Sequence, residues 1–166
     1  MKPKHQLLLT LLVLSGNLAL DRITKLLAIS YLKGQDSIAF FFHSIVLSYA
    51  ENTGAFLSAG TNWPGVLKYA LLLVVPVLVC IIGLYYCAFR LTDRKQVVAY
   101  ASIIGGGLGN LIDRLLNNFT VVDFLNFGIG SLRTGILNVA DMSVTFGVIY
   151  LIITAMKYPS HKLTKE

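Results

Sequence analysis

Three short clusters of amide and carboxyl side chains interrupt an otherwise apolar chain: Asn110–Asp113–Arg114, Val122–Asp123–Phe124 and Asn138–Ala140–Asp141. An ionised carboxylate at the middle of a bilayer costs roughly 2.5–3.5 kcal/mol on the insertion scale. A chain with 8 Asp and Glu side chains in all does not place them against apolar segments for solubility. Two carboxylates held together cannot both ionise cheaply, so one pKa rises and the pair shares a proton. One member can then take a proton from water while the other donates to a carbonyl oxygen, the chemistry of an aspartic peptidase. Asp123 and Asp141 are the candidate pair, because a loop and a helix end can approach without forcing two helices into collision.

Helical spacing groups the remaining polar residues. Asn17, Asp21 and Lys25 recur at i, i+4 and i+8, Asn110, Asp113 and Arg114 at i, i+3 and i+4, and Asn138, Asp141 and Thr145 at i, i+3 and i+7, so each set shares a helix face. Bland readings stand beside the chemical ones. Asp21 with Lys25 reads as a structural pair. Asp113 and Arg114 diverge on a helix, and a positioning role suits them as well as a chemical one. Asp123 alone could be a helix N-cap. Asp141 has no basic neighbour on its own helix and is harder to dismiss.

The elements that would position these groups are membrane helices. The chain is 55% hydrophobic and 13% charged, about half the charge of a soluble domain. Its apolar stretches predict four transmembrane helices at about 6–31, 66–89, 96–115 and 137–157. The second and fourth reach the roughly 20 apolar residues that a span needs. The first and third do so only if they run on past Asp21 and Asp113 with those side chains turned inward. The 166 residues fit a single domain. The net charge of +6 is not gathered into a nucleic-acid face, and no nucleic-acid partner is expected. Instead Lys2 and Lys4, then Arg90, Arg94 and Lys95, then Lys157, Lys162 and Lys165 flank the predicted spans. The positive-inside rule puts those regions and both termini in the cytoplasm.

The basic, apolar N-terminus has the outline of a signal peptide, but Leu18 and Leu20 are poor cleavage positions, so it is read as a retained span. Cys80 and Cys87 fall seven residues apart in one helix, about 10.5 Å of rise, too far for a disulfide. They read as small packing residues.

With this topology residues 33–62 lie outside. The aromatic and β-branched runs Ser37–Phe42, Ile45–Tyr49 and Ala55–Ser58 predict short strands there, with Phe40–Phe42 at the bilayer interface. Pro76 is a potential kink in the second helix, and Gly105, Gly106, Gly107 and Gly109 permit close helix approach in the third. Residues 115–135 read as an outer loop. Asn52, Asp21, Asn110, Asp113, Arg114, Asp123, Asn138 and Asp141 would then converge near the outer face. Asn52 has donors and an acceptor for an extended peptide, and Gly54 supplies backbone freedom. Alternatively, Asn52–Gly54 is a tight turn.

Other chemistries lack their motifs. His5, His43 and His161 are scattered and no H-E-x-x-H occurs, so no metal site is expected. There is no G-x-S-x-G and no phosphate-binding G-x-x-x-x-G-K-[ST]. A small proton-coupled transporter or channel subunit remains the alternative, since such proteins use intramembrane acids as relays.

Taken in order, Asp21 with Lys25, Asn52-Thr53-Gly54-Ala55-Phe56, Gly109-Asn110 with Asp113-Arg114, Val122-Asp123-Phe124 and Asn138-Val139-Ala140-Asp141 resemble the lipoprotein signal peptidase (type II signal peptidase) family. The resemblance covers nearly the whole chain. It implies an aspartic endopeptidase of the bacterial cytoplasmic (inner) membrane, with four helices, an extracytoplasmic strand region and an outward-facing site. It further implies Asp123 and Asp141 as the catalytic dyad, with Asp21, Asn52, Asn110, Arg114 and Asn138 lining or bracing the site. The implied substrates are diacylglyceryl-modified prolipoproteins, cleaved just before the lipidated cysteine. No cofactor is implied. The partners expected are these substrates and membrane lipid, and the chain is expected to be a monomer. One departure is Leu137-Asn138, where the family's last motif begins Phe-Asn. The short stretch from Asp123 to Asn138 is another. Both bear on the shape of the substrate groove.

Overall fold

In the computed structural model, residues 3–55 and 58–157 are described. Lys2, Phe56, His161, Lys162 and Lys165 lie outside them. Four helices follow one another: α1 (Pro3–Leu32), α2 (Gly65–Phe89), α3 (Arg94–Leu116) and α4 (Val139–Lys157). Helices α1 and α3 begin earlier than the apolar pattern alone indicates. Asp93 starts α3 by accepting a hydrogen bond from the Gln96 backbone N–H at 2.9 Å, a side-chain N-cap.

Three of these helices, α1, α2 and α4, are long and apolar enough to cross a membrane. The burial pattern is inside out relative to a water-soluble bundle. Lys25 is 0% exposed, whereas Leu12 is 62% and Ile81 58% exposed. Apolar side chains turned outward and charges turned inward is the arrangement a lipid solvent selects.

Helix α3 is the hub, packed against α1, α2 and α4. Its glycines allow this. A Cβ on Gly109 would stand 2.7 Å from Asp21 Oδ2, and one on Gly106 would collide with the Ala140 carbonyl of α4. A core of Cys80, Cys87, Ile104 and Leu111, extended by Leu14 and Leu84, joins α1, α2 and α3. Both cysteines are free and buried, as small packing residues would be. Helices α2 and α4 barely meet, which leaves a gap floored by α3. In α2, residues Ala70–Val74 are π-helical just before Pro76. The proline's missing N–H and its crowding of the preceding turn explain the widened ring.

The strands form one antiparallel order, β1 (Ile38–Phe40), β2 (Ile45–Asn52), β3 (Val121–Ile129) and β4 (Leu132–Arg133). This corrects the expected strand region between the first two helices. Two of the four strands come from the segment read as an outer loop, because the β-branched and aromatic run Val121–Phe127 pairs with β2. Ala55 and Ser58 are not in a strand, and 56–57 lie outside the described residues. Phe41 and Phe42 do not continue β1. They sit with His43 in a turn at φ 48°, 54° and 66°. The register of β2 on β3 shifts between Leu47 and Ala50, a bulge beside Asp123. Ala28 and Leu32 of α1 pack under Val122 and Phe124, so the opposite face of β3 carries Asp123 toward the helices.

Candidate active site

Asp123 is a strand residue, not a helix cap. Beyond the bulge, Ala50 pairs with Asp123 and Asn52 with Val121, which puts Asn52 and Asp123 in diagonal positions on one face. Asn52 Nδ2 donates to Asp123 Oδ2 at 3.0 Å and also to the Ala55 carbonyl at 3.1 Å. Its Oδ1 accepts from the Gly54 N–H at 2.8 Å. The Asn52 amide therefore makes the turn and holds Asp123 at once. Gly54 has no left-handed φ. Its lack of a side chain matters because a Cβ would strike the backbone of Ser58 and Ala59, so close approach, rather than backbone freedom, is what the residue supplies.

Asp141 lies in the first turn of α4. Asn138, just before that helix, accepts from the Asp141 N–H at 2.9 Å, and Asp141 Oδ2 faces the Asn138 N–H at 3.4 Å. This is a reciprocal capping box. The Asn138 side chain also donates to Asp123 Oδ1 at 2.6 Å and Asn110 Oδ1 at 3.1 Å, so one amide meets the Asp123 carboxyl and the backbone N–H of Asp141. Asn110 Nδ2 donates to Asp141 Oδ1 at 2.8 Å, while its Oδ1 faces Lys25 Nζ at 3.0 Å. A lysine ammonium has no acceptor, which fixes the orientation of that amide.

Asp123 and Asp141 both line a cavity of about 250 Å³ in the gap between α2 and α4, with Asn52, Asn110, Arg114 and Pro76 among its walls. Asp123 is 2% exposed. Burial pushes its carboxyl up to about 6, opposed by the Asn52 hydrogen bond, reinforced by the charge of Asp141, and opposed again by Asn138 and Lys25. A carboxyl poised there can exchange a proton near neutral pH. Among the described residues no three His, Cys, Asp or Glu side chains gather in a way that could hold a metal ion.

Asp21, Lys25 and Asp113 sit behind this cavity and do not line it. Lys25 Nζ lies 2.8 Å from both Asp21 Oδ2 and Asp113 Oδ2, with all three side chains at most 1% exposed. Asp21 Oδ1 also accepts from the Ala140 N–H at 3.0 Å, which ties α1 to the start of α4. Arg114 turns the other way and donates to the Gly54 carbonyl at 2.7 Å, bracing the Asn52 turn. Sequence reasoning missed Arg22, which meets Asp113 Oδ1 at 2.6 Å. Its i, i+3 spacing to Lys25 was the available signal. It also missed Ser143, which, rather than Thr145, reaches α1 by donating to Asn17 Oδ1 at 2.6 Å.

Comparison with known proteins agrees with this architecture. Residues 13–157 match the family model described as Signal peptidase (SPase) II. The lipoprotein signal peptidase of Borrelia duttonii (strain Ly) is 32% identical over 157 residues, covering 90% of this chain and 91% of that protein. That of Mycobacterium leprae (strain Br4923) is 31% identical over 161 residues, 94% of this chain and 75% of that protein. A bacterial membrane enzyme solved by the in meso method at 2.3 Å resolution superposes with a TM-score of 0.77 at 28% identity, covering 95% of this chain and 93% of that one. The transporter alternative finds no support among these relatives. The chain, a multi-pass membrane protein, belongs to the signal peptidase II family.

Proposed function

We propose that this chain is an aspartic endopeptidase that removes the signal peptide from bacterial prolipoproteins, cleaving before a diacylglyceryl-modified cysteine. The observation that carries the reading is the convergence of Asp123, from a strand, and Asp141, from a helix start, on one small cavity that opens between two helices. The ionised member of the pair takes a proton from a water, and that water attacks the scissile carbonyl carbon. The protonated member donates to the carbonyl oxygen, and a neutral tetrahedral diol forms. Its collapse breaks the C–N bond as a proton passes to the leaving amine. Asn52, Asn110 and Asn138 keep both carboxylates aimed into the cavity throughout. The gap between α2 and α4 is the lateral way in for a lipidated peptide whose acyl chains remain in the bilayer.

In this reading α3 is the fourth span. Its 23 residues give about 34 Å at 1.5 Å per residue, enough to cross the hydrocarbon, and its polar groups face its neighbours. Lys4, Arg90, Arg94, Lys95 and Lys157 then mark the cytoplasmic side of the inner membrane, and the carboxylate pair lies near the opposite face, under the sheet. In this reading the chain acts as a monomer.

The deciding experiment is cleavage of a lipidated precursor by the purified chain and by Asp123→Asn and Asp141→Asn. Each substitution is expected to abolish cleavage while the protein stays folded and inserted. Turnover near the parent's in either variant overturns the dyad.

A further inference from the structure

A second cavity, of about 530 Å³, lies between α3 and α4 and shares no lining residue with the carboxylate site. Val98 and Ala99 of α3 and Phe146 and Gly147 of α4 form its apolar length. Its floor is the close contact of the two helices at Gly147, where a Cβ would meet Ile103 and the Ala99 carbonyl. One end is closed by the hydrogen bond of Ser143 to Asn17. The other end opens beside Arg94 and Lys95, with Tyr150 in the wall. Both cations are exposed, and neither makes an ion pair among the described residues. The acid adjacent in sequence, Asp93, caps α3 through Gln96 and does not line this cavity.

We infer that this groove binds an anionic glycerophospholipid of the cytoplasmic leaflet, one acyl chain lying along Val98, Ala99, Phe146 and Gly147 and the phosphate between Arg94 and Lys95. The inference rests on the orientation proposed above, not on the peptidase chemistry. From Arg94 to Ser102 the helix rises about 12 Å, close to the roughly 15 Å depth of one leaflet's hydrocarbon. The groove therefore runs from the headgroup level to near the midplane and stops there, which suits a lipid tail and not a spanning helix. Its cationic mouth selects against the other occupant at hand, a signal peptide, whose leading segment is itself positively charged. A basic pocket between helices at the cytoplasmic surface matches an anionic headgroup.

The test uses the full chain carrying Trp63→Phe and Phe146→Trp, so that the only tryptophan reports from the groove. It is placed in phosphatidylcholine vesicles containing either brominated phosphatidylglycerol or brominated phosphatidylcholine of the same chain length. Brominated phosphatidylglycerol is expected to quench with an apparent affinity on the order of tenfold higher. Arg94→Gln/Lys95→Gln should bring the ratio to about one. Ser102→Leu, which fills the inner end and leaves the charges in place, should reduce quenching by both lipids. Equal quenching by the two lipids in the parent, or an unchanged ratio in the charge variant, overturns the proposal. The unaltered chain in detergent gives an independent reading by native mass spectrometry. Preferential retention of phosphatidylglycerol, lost in Arg94→Gln/Lys95→Gln, supports the site, and equal retention of the two lipids refutes it. Precursor cleavage in detergent should stay near the parent's in the charge variant and in Ser102→Leu. Failure of the lipid site is therefore separable from failure of the peptidase reading.

Discussion

Asn138 and Asp141 cap each other across the first turn of α4, Oδ1 to N–H at 2.9 Å and Oδ2 to N–H at 3.4 Å, while the same Asn138 amide donates to Asp123 at 2.6 Å. One residue thus serves helix initiation and carboxylate alignment, and two substitutions separate these roles. Asn138→Ala should lose the cap, about 1 kcal/mol of stability, together with the donor to Asp123. Asn138→Ser keeps a capping oxygen but cannot reach Asp123 with an N–H. Thermal melting should therefore recover in Asn138→Ser while turnover does not. Recovery of both would reduce Asn138 to a cap.

The raised Asp123 carboxyl gives a pH signature. Its value of about 6 in the folded chain lies above the roughly 3.9 of an unfolded aspartate, so the folded state holds the proton more tightly. The stability from this group is complete below about pH 4 and is lost as pH rises toward 6, after which it is flat. Melting curves from pH 4 to 7 should show this decline in the parent, and it should be smaller in Asp123→Asn. The alkaline limb of the pH–rate profile, where the pair loses its shared proton and which belongs to the pair rather than to either residue, should have its midpoint near 6. The Asn52 hydrogen bond holds the carboxyl down, so Asn52→Ala should move that limb to higher pH. An unmoved limb in Asn52→Ala would mean that Asn52 acts only on the turn.

The helical part of this arrangement was legible because helix periodicity places Asp21 above Lys25 and Asn138 above Asp141 whatever the neighbours do. The clustering of polar groups at one end followed instead from the alternating direction of the four predicted spans. The strand part was not. Nothing local to Val121–Ile129 reveals that its partner is β2, some 70 residues earlier by the Asn52–Asp123 separation of 71, and a segment between two spans reads by default as a loop. The bulge that sets Asn52 diagonal to Asp123 is a property of the pairing, absent from either strand alone. Gly54 was misread for a related reason. Sequence suggests a torsional role for a glycine in a turn, whereas its contact with the chain at Ser58 and Ala59 is tertiary. The division of Asn110, Asp113 and Arg114 among three different partners likewise depends on where α1, α4 and the Gly54 turn come to rest.

Lys25 bridges two fully buried carboxylates, Asp21 and Asp113, and also orients Asn110. Removing one partner from such a network leaves charge buried without compensation, at about 3–5 kcal/mol. Lys25→Met is therefore expected to give little folded protein. Arg22, with 35% of its side chain exposed, can be replaced far more cheaply, and Arg22→Gln should cost about 1 kcal/mol or less. Melting temperatures in one detergent measure the contrast. A Lys25→Met protein as stable as Arg22→Gln would show that the buried cluster is not what binds α1 to α3.

Two glycines of the bundle make opposite claims on packing. Gly109 has Asp21 Oδ2 2.7 Å from the position of an added Cβ, with Ala140 Cβ 3.4 Å away. A methyl there must push α1 or α4 off α3, and overpacking of this kind costs about 1–3 kcal/mol. Because Asp21 also holds the Ala140 N–H at the start of the helix that carries Asp141, the displacement should reach the site. Gly16 on α1 has nothing within 4 Å of the same position, and alanine there gains helix propensity, up to about 1 kcal/mol. Gly109→Ala is thus expected to lower both melting temperature and precursor turnover, and Gly16→Ala to raise the melting temperature with turnover unchanged. If Gly109→Ala melts like the parent and cleaves like it, the close approach of α1 and α3 at Asp21 is not what positions the start of α4.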